Sequence, residues 1–177
     1  MSTRVLNSCP VPNTQCLVPS TQRPVPIAQC LNHNNNSNPN LNMVYVTRKA
    51  HFCASHRLFN PAWSDEKNAR VFGKCNNPNS HGHNYDLEVT VAGNPPAETG
   101  MVIDLKDLAA IVDREVIELV DHKHLNLDVD FMQGVIPTAE NMAIAFWKIL
   151  VPKIKPGKLY SIKLYESANN LVEYRGE

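Results

Sequence analysis

The chain has 177 residues, enough for one domain of ordinary size or for a smaller domain with a tail. Its 17 basic and 17 acidic residues cancel, which leaves no overall charge to attract nucleic acid or an anionic membrane. The sequence has no secretory signal and no apolar run of the roughly 20 residues that cross a bilayer. Its five cysteines form no Cys-x-x-Cys pair. We therefore expect a cytoplasmic protein with reduced thiols, and neither nucleic acid nor a membrane as its partner.

Residues 1–43 differ in composition from the rest of the chain. They hold six of the 13 prolines, nine asparagines and no acidic residue, and they lack the period of a helix or a strand. Such a composition cannot bury enough apolar surface to offset the entropy of ordering. Organelle transit peptides also lack acidic residues, but the prolines disfavour the amphipathic helix that those peptides form. We predict a disordered N-terminal extension over residues 1–43 and a folded domain over residues 44–177.

Alternation of apolar and polar residues begins at Val44 and, apart from Arg48, places the apolar residues and His56 on one face. This pattern predicts a long, half-buried strand. A short helix follows, with Ser64 as its N-cap and Gly73 at its end. A second alternating strand then carries on one face Tyr85, Leu87, Val89 and Val91.

Two further helices are predicted by apolar residues that recur at intervals of three and four. Asp104 caps the first helix, and Thr138 caps the second, which Pro152 ends. Two final strands, KLYSIKLYES and NNLVEYRG, meet at Asn169 and Asn170, whose tolerance of positive φ suits a tight hairpin. The element order predicts an α+β domain, a four-stranded antiparallel sheet with both helices on one face. The apolar stripe expected on the first helix consists of Leu105, Leu108, Val112, Val116 and Leu119.

The stretch GKCNNPNSHGHNYDLEV, residues 73–89, contains a cysteine and two histidines. His81 and His83 point to the same side of the second strand, and that side continues into its apolar face. By the same alternation, His56 and not His51 lies on the apolar face of the first strand. Each could be a core histidine that bonds a backbone carbonyl, but three imidazoles on the covered faces of neighbouring strands favour zinc. Three protein ligands leave one tetrahedral position open, which is typical of catalytic zinc.

Four other polar residues are candidates for chemistry. Cys75 could close the zinc site as a fourth ligand, or its thiolate could act as a base or nucleophile near an imidazole. Asp121 could fix the tautomer of His122 for proton exchange, or the pair could simply end the preceding helix. Glu166 ends the third strand, where a carboxylate could accept paired N–H bonds from a guanidine-like ring if it faces a pocket.

Six stretches resemble the 6-pyruvoyl tetrahydropterin synthase family in order and spacing: FCASHRL, FGKCNNPNSHGHNY, TGMVIDLKDL, LDVDF, PTAEN and LYESANNLVEYRGE. The resemblance runs from Tyr45 to Glu177 and includes the loop with Asp121 and His122. It implies the tunnelling fold (T-fold), in which units of four antiparallel strands and two helices form a trimeric twelve-stranded barrel. Two trimers stack into a homohexamer with active sites between subunits. The chain departs from the family at Ser80, where glycine is usual.

The resemblance also implies roles for individual residues. Cys75 matches the catalytic base, and Asp121 and His122 match the other members of its triad, which a neighbouring chain would supply. Glu166 matches the glutamate that anchors the pterin ring. The implied zinc ligands are His56, His81 and His83, and further residues in a segment lining the pterin pocket are Thr138 and Glu140.

The implied reaction converts 7,8-dihydroneopterin triphosphate to 6-pyruvoyl-5,6,7,8-tetrahydropterin with loss of triphosphate, which makes the enzyme a lyase of tetrahydrobiopterin synthesis. Zinc would act as a Lewis acid on the side-chain hydroxyls while the Cys75 thiolate moves protons. One alternative is the 6-carboxy-tetrahydropterin synthase activity of bacterial relatives, which have three residues between the cysteine and His-Gly-His. Five residues, Asn76 to Ser80, favour the pyruvoyl branch. The other alternative is a non-catalytic zinc-binding module with Cys75 as fourth ligand.

Overall fold

Two long strands form the centre of the sheet. In the computed structural model, which describes residues 42–177, β1 (Val44–His56) pairs antiparallel with β2 (His81–Gly93) along its whole length. The predicted alternation is confirmed, because Phe52, Ala54 and His56 are buried while the residues between them are partly exposed. The predicted N-terminal extension over residues 1–43 lies outside the described residues, apart from its last two.

The complete sheet has five strands in the order β3-β1-β2-β4-β5. β4 (Lys158–Ser167) pairs antiparallel with β2, and β5 (Asn170–Tyr174) pairs antiparallel with β4. β3 (Lys123–His124) runs parallel to the end of β1, so the sheet is mixed and the predicted four-stranded antiparallel sheet was wrong in this respect. A strand of two residues has no detectable period, and it forms here because the loop after the first long helical segment passes beside β1.

The first long helical segment contains a change of helix type. It consists of α2 (Leu105–Val112), a π-helical turn (Asp113–Ile117) and α3 (Glu118–Val120), and Asp104 caps it as predicted by accepting from Lys106 N. Leu108, Val112 and Val116 of the predicted stripe are buried, but Leu105 and Leu119 are 57% and 47% exposed. The wider π turn shifts the register, so that Val120 takes the buried place expected of Leu119.

The other two helices agree with the sequence prediction. α1 (Asp65–Phe72) begins after Ser64 and ends at Gly73, which has φ +54°. α4 (Ala139–Leu150) begins after Thr138, whose hydroxyl accepts from Asn141 N. The inner face of the sheet and the long helices share one core, whose largest fully buried side chains include Phe52, Tyr85, Leu108, Met142, Phe146 and Leu164. Within residues 42–177, no helix is long and apolar enough to cross a membrane.

The hairpin between β4 and β5 turns at Ala168 and Asn169, while Asn170 already belongs to β5. Neither asparagine has a positive φ, so the predicted reason for the turn was wrong. The Ser167 hydroxyl instead accepts from the backbone N–H groups of both asparagines, at 3.4 and 3.2 Å, beside an irregularity in the register. The Ser167 side chain thus stabilises the turn, and neither asparagine needs a left-handed backbone conformation.

Candidate functional site

Three histidines converge at the end of the central strand pair. His56 and His81 lie opposite each other in the register of β1 and β2, and His83 follows two residues along the same face. One ring nitrogen of each lies within 4.8 Å of those of the other two, and the Nε2 atoms of His56 and His81 are 3.1 Å apart. His83 Nε2 is buried without a hydrogen-bond partner. Such a cluster of closely spaced imidazole nitrogens could hold a metal ion.

A hydrogen bond to a backbone carbonyl orients the ring of His56. Its Nδ1 donates to the Pro137 carbonyl oxygen at 2.8 Å, which leaves Nε2 unprotonated and directed into the cluster. Burial lowers the pKa of His56 to about 4, against the smaller raising effect of the bond to Pro137. The imidazole is therefore neutral near pH 7, as a metal ligand must be. The Tyr85 hydroxyl lies 3.5 Å from His56 Nδ1.

Glu166 adjoins the histidine cluster on the side of β4. Its Oε1 lies 3.7 Å from His56 Nε2 and 3.7 Å from His83 Nε2. Glu166 also lines a cavity of about 610 Å³, together with Thr138 and Glu140 at the start of α4. The three residues predicted to contact a substrate therefore share one cavity, and Glu166 is the lining residue that also lies next to the histidine cluster.

Cys75 lies within electrostatic range of Tyr85, which shares a strand face with His83. It is a partly exposed free thiol in a 3-10 helical turn (Gly73–Asn76), and its carbonyl accepts from Leu58 N at 2.9 Å. Burial raises the pKa of Tyr85, and the charges of Glu166 and Cys75 raise it further. The thiol thus belongs to the electrostatic environment of the Tyr85 hydroxyl, next to His56.

Asp121 and His122 form a pair at the outer edge of β1. Asp121 Oδ1 accepts from Cys53 N at 2.8 Å, and Asp121 Oδ2 lies 2.9 Å from His122 Nδ1. The hydrogen bonds from Cys53 and then from His122 hold the pKa of Asp121 below its ordinary value. His122 has φ +57° and a side chain that is 79% exposed.

The Asp121–His122 pair does not meet Cys75 within one chain. His122 lines a second cavity, of about 550 Å³. Four of the strand residues around it alternate with the three histidines and so belong to the other face, namely Cys53, Ser55, Gly82 and Asn84, while Ala54 and His83 line it from the histidine face. Among residues 42–177, no hydrogen bond or ion pair joins Asp121 or His122 to Cys75. Among the described residues, the three histidines and Glu166 therefore lie together, and the Asp121–His122 pair lies apart from Cys75.

Several residues at the site were not predicted from the sequence. Pro137 and Tyr85 support His56, and Ser80 and His124 are joined by a hydrogen bond of 2.7 Å. Pro137 precedes a helix cap, and its carbonyl carries no sequence signal for a role at the site. Tyr85 lies two residues beyond His83 on the same strand face, so the alternation could have identified it.

The chain is similar to known proteins over most of its length. The family model described as 6-pyruvoyl tetrahydropterin synthase matches residues 45–177. The 6-pyruvoyl tetrahydrobiopterin synthase of Homo sapiens is 46% identical over 132 residues, which cover 75% of this chain and 91% of the human protein. The structure of the Caenorhabditis elegans 6-pyruvoyl tetrahydropterin synthase superimposes with a TM-score of 0.73 at 37% identity, covering 76% of this chain and 96% of that chain.

A relative with a different name also matches over most of its length. The 6-carboxy-5,6,7,8-tetrahydropterin synthase of Rickettsia typhi is 34% identical over 149 residues, which cover 74% of this chain and 99% of that protein. The human protein and the nematode structure, both named for the pyruvoyl activity, are more similar to this chain, at 46% and 37% identity. The chain belongs to the 6-pyruvoyl tetrahydropterin synthase family, a family of enzymes.

Proposed function

We propose that this enzyme converts 7,8-dihydroneopterin triphosphate to 6-pyruvoyl-5,6,7,8-tetrahydropterin and releases triphosphate. The observation that carries the proposal is the position of Glu166, which lies 3.7 Å from two histidines of the metal-binding cluster and also lines the 610 Å³ cavity. A pterin ring in this cavity would extend its side chain toward the cluster. The family membership supports the same substrate.

Zinc is the metal that fits the cluster best. His56, His81 and His83 would hold it, because neutral imidazoles are borderline ligands that zinc accepts, and three of them leave room for a substrate oxygen. A bound zinc ion would supply Lewis acidity to the hydroxyl groups of the substrate side chain. The tautomer of His56, set by Pro137, directs its free nitrogen to the ion.

The chain's own residues would bind the ring and move the protons. The Glu166 carboxylate would accept two parallel N–H bonds from the ring edge and so fix its orientation. Thr138 and Glu140 would bind the substrate in the same cavity. The Cys75 thiolate would take protons from the side-chain carbons and return them to the ring, with His122 as its acid–base partner and Asp121 holding the imidazole. The side chain is oxidised as the ring is reduced, so the reaction needs no nicotinamide.

A homohexamer would complete the active site. The exposed Asp121–His122 pair lies on a different surface from Cys75, which supports a site formed by two chains. The outer edge of β1 supports a barrel, because within the described residues only β3 pairs with it, at Ala54 and Ser55. A long open edge is a template for a strand of another chain. We infer the T-fold arrangement, with trimeric barrels stacked in pairs.

We also assign the catalytic domain to residues 44–177 and the enzyme to the cytoplasm. The match of the family model to residues 45–177 supports the domain boundary. Two free thiols, Cys53 and Cys75, are compatible with a reducing compartment.

The decisive experiment uses the purified zinc-loaded protein with dihydroneopterin triphosphate. We expect mass spectrometry to identify 6-pyruvoyl-tetrahydropterin and free triphosphate. A 6-carboxy product would instead assign the enzyme to the branch of its rickettsial relative. Absence of any turnover would contradict both enzymatic assignments.

The variant Cys75→Ala separates a catalyst from a zinc-binding module. We expect the zinc content to stay at one ion per chain while turnover falls by roughly a thousandfold or more, the scale of losing a group that acts by acid–base and covalent chemistry. Loss of zinc with the thiol would identify Cys75 as a fourth ligand and contradict its catalytic role.

A further inference from the structure

The loop that follows Cys75 ends in an unusual conformation. Ser80 has φ +64°, in the left-handed region that a residue with a Cβ rarely adopts. It directly precedes His81, the first histidine of the cluster. Its hydroxyl lies 2.7 Å from His124 Nε2, which belongs to the segment after Asp121 and His122. The Ser80–His124 contact therefore connects the loop between Cys75 and His81 to the segment that contains Asp121 and His122.

The surroundings of His124 fix the direction of this hydrogen bond. His124 Nδ1 accepts from Asn126 N at 3.3 Å, so the proton of the neutral ring is on Nε2 and is donated to the Ser80 hydroxyl. His124 N donates to Asp128 Oδ2 at 2.9 Å. The imidazole is thus held by its backbone and by both ring nitrogens.

The beginning of the same loop is fastened by Arg57. The Arg57 guanidinium donates to the Asn76 carbonyl and side-chain oxygens at 3.0 Å each, immediately after Cys75. The side chain of Asn126 bonds the backbone of Arg57 in both directions, at 2.9 and 3.0 Å. Asn126 therefore bonds both Arg57, which holds the start of the loop, and His124, which holds its end.

We propose that Ser80 and His124 form a positioning pair that fixes the loop 76–80, and with it the Cys75 thiol, relative to the histidine cluster. The role in turnover rests on the proposed function, because it is defined by the work assigned to Cys75. The hydrogen bond also compensates for the strained backbone of Ser80 next to His81. The proposed reaction assigns neither residue a proton to transfer, so we expect their effect to be on the geometry of proton transfer.

Two matched substitutions of His124 separate this role from a local structural one. In His124→Gln, the amide nitrogen takes the place of Nε2 and can still donate to Ser80. In His124→Asn, the shorter amide keeps an acceptor for Asn126 N but cannot reach Ser80. Ser80→Ala removes the hydroxyl and keeps the Cβ, and with it the backbone strain.

We expect kcat to fall about fivefold in Ser80→Ala and in His124→Asn, the rate equivalent of one ordinary hydrogen bond. KM and zinc content should not change, and His124→Gln should stay within about twofold of the parent protein. Hydrogen exchange of the Asn77 and Ser80 amides, which donate to the Lys74 and Asn77 carbonyls, should accelerate about fivefold in the same two variants.

Hydrogen exchange tests the Ser80–His124 pair independently of turnover. If the parent protein does not convert dihydroneopterin triphosphate, the proposed function fails, while faster exchange in Ser80→Ala and His124→Asn alone still supports the pair. Equal losses in His124→Gln and His124→Asn would overturn the proposal, as would normal exchange and normal kcat in Ser80→Ala.

Discussion

His56 combines more constraints than any other side chain of the histidine cluster. It is fully buried, it is fixed by the Pro137 carbonyl, and it lies 3.1 Å from the nitrogen of His81. Burial of a neutral imidazole is favourable only while the ring does not have to accept a proton. The residue that is best prepared for a metal ion is therefore also the one that makes the metal-free protein sensitive to acid.

The pKa of His56 predicts the direction of that sensitivity. The imidazole titrates near 6.5 in the unfolded chain and near 4 in the folded one, so the unfolded state binds the additional proton between these values. The free energy of unfolding should be highest above pH 6.5 and should fall by up to about 3 kcal/mol toward pH 4. Thermal unfolding of the metal-free protein measures this. His56→Asn can still donate to Pro137 and should lose most of the dependence, whereas an identical pH profile in that variant would contradict the assignment.

Glu166 provides a second prediction at the residue scale. Glu166→Gln should lower kcat/KM by roughly 10- to 100-fold, because charge-assisted hydrogen bonds to the ring edge are lost and an N–H group faces the ring donors. Steady-state kinetics and zinc analysis of the same preparation measure both effects. Zinc content should stay unchanged, and the exposed Glu98→Gln serves as the control. Loss of zinc in Glu166→Gln would instead make the carboxylate a metal ligand.

The sequence predicts the histidine cluster better than it predicts the surroundings. Strand alternation places His56, His81 and His83 on one face because the period of two is a property of the strand backbone. The Pro137 carbonyl and the contact between Ser80 and His124 depend on which loops approach each other after folding. No period along the chain carries that information.

At the scale of elements, the helical segment 105–120 shows the same limit. Apolar spacing predicts one regular helix, and the buried side chains of Leu108, Val112 and Val116 follow it. The π-helical turn then exchanges Leu119 for Val120 on the buried side. Whether a helix accommodates an extra residue depends on the surface it packs against, here β1 and α4, and not on its own sequence.

At the same scale, the burial of Asn68 could not be predicted from the sequence, because a polar residue on a short helix is usually exposed. Asn68 is fully buried in α1, where Oδ1 accepts from Asn60 N and Nδ2 donates to the carbonyls of Asn60, Trp63 and Ser64. The side chain therefore fastens the loop between β1 and α1 to the helix. Without it, the backbone N–H of Asn60 loses its partner, and the carbonyls of Asn60, Trp63 and Ser64 each lose one donor.

We predict that Asn68→Ala lowers the free energy of unfolding by about 2–3 kcal/mol, because it leaves buried donors and acceptors unpaired. Chemical denaturation of the full chain measures the loss, and the exposed Arg70→Ala on the same helix should change stability by less than about 0.5 kcal/mol. Equal stabilities of the two variants would show that Asn68 is not the fastening residue.

At the scale of the whole molecule, the decisive property is the separation of the groups proposed to be catalytic. Cys75 lies within electrostatic range of Tyr85, whereas His122 is largely exposed and lines a cavity that does not include Cys75. An exposed Asp–His pair is inactive unless another surface covers it, because proton transfer needs contact with the thiol. A second chain docked along the open edge of β1 would provide that surface.

Mixed oligomers test this arrangement directly. Cys75→Ala and His122→Asn should each be inactive alone, and when the two are unfolded and refolded together, sites that combine an intact Cys75 with an intact His122 should form. Random assembly from equal amounts predicts that about one quarter of the sites are intact, so activity should recover to about one quarter of the parent value. Each variant refolded alone controls for spontaneous reactivation. If both groups of a site came from one chain, mixing would restore no activity, since every chain would carry one of the two defects.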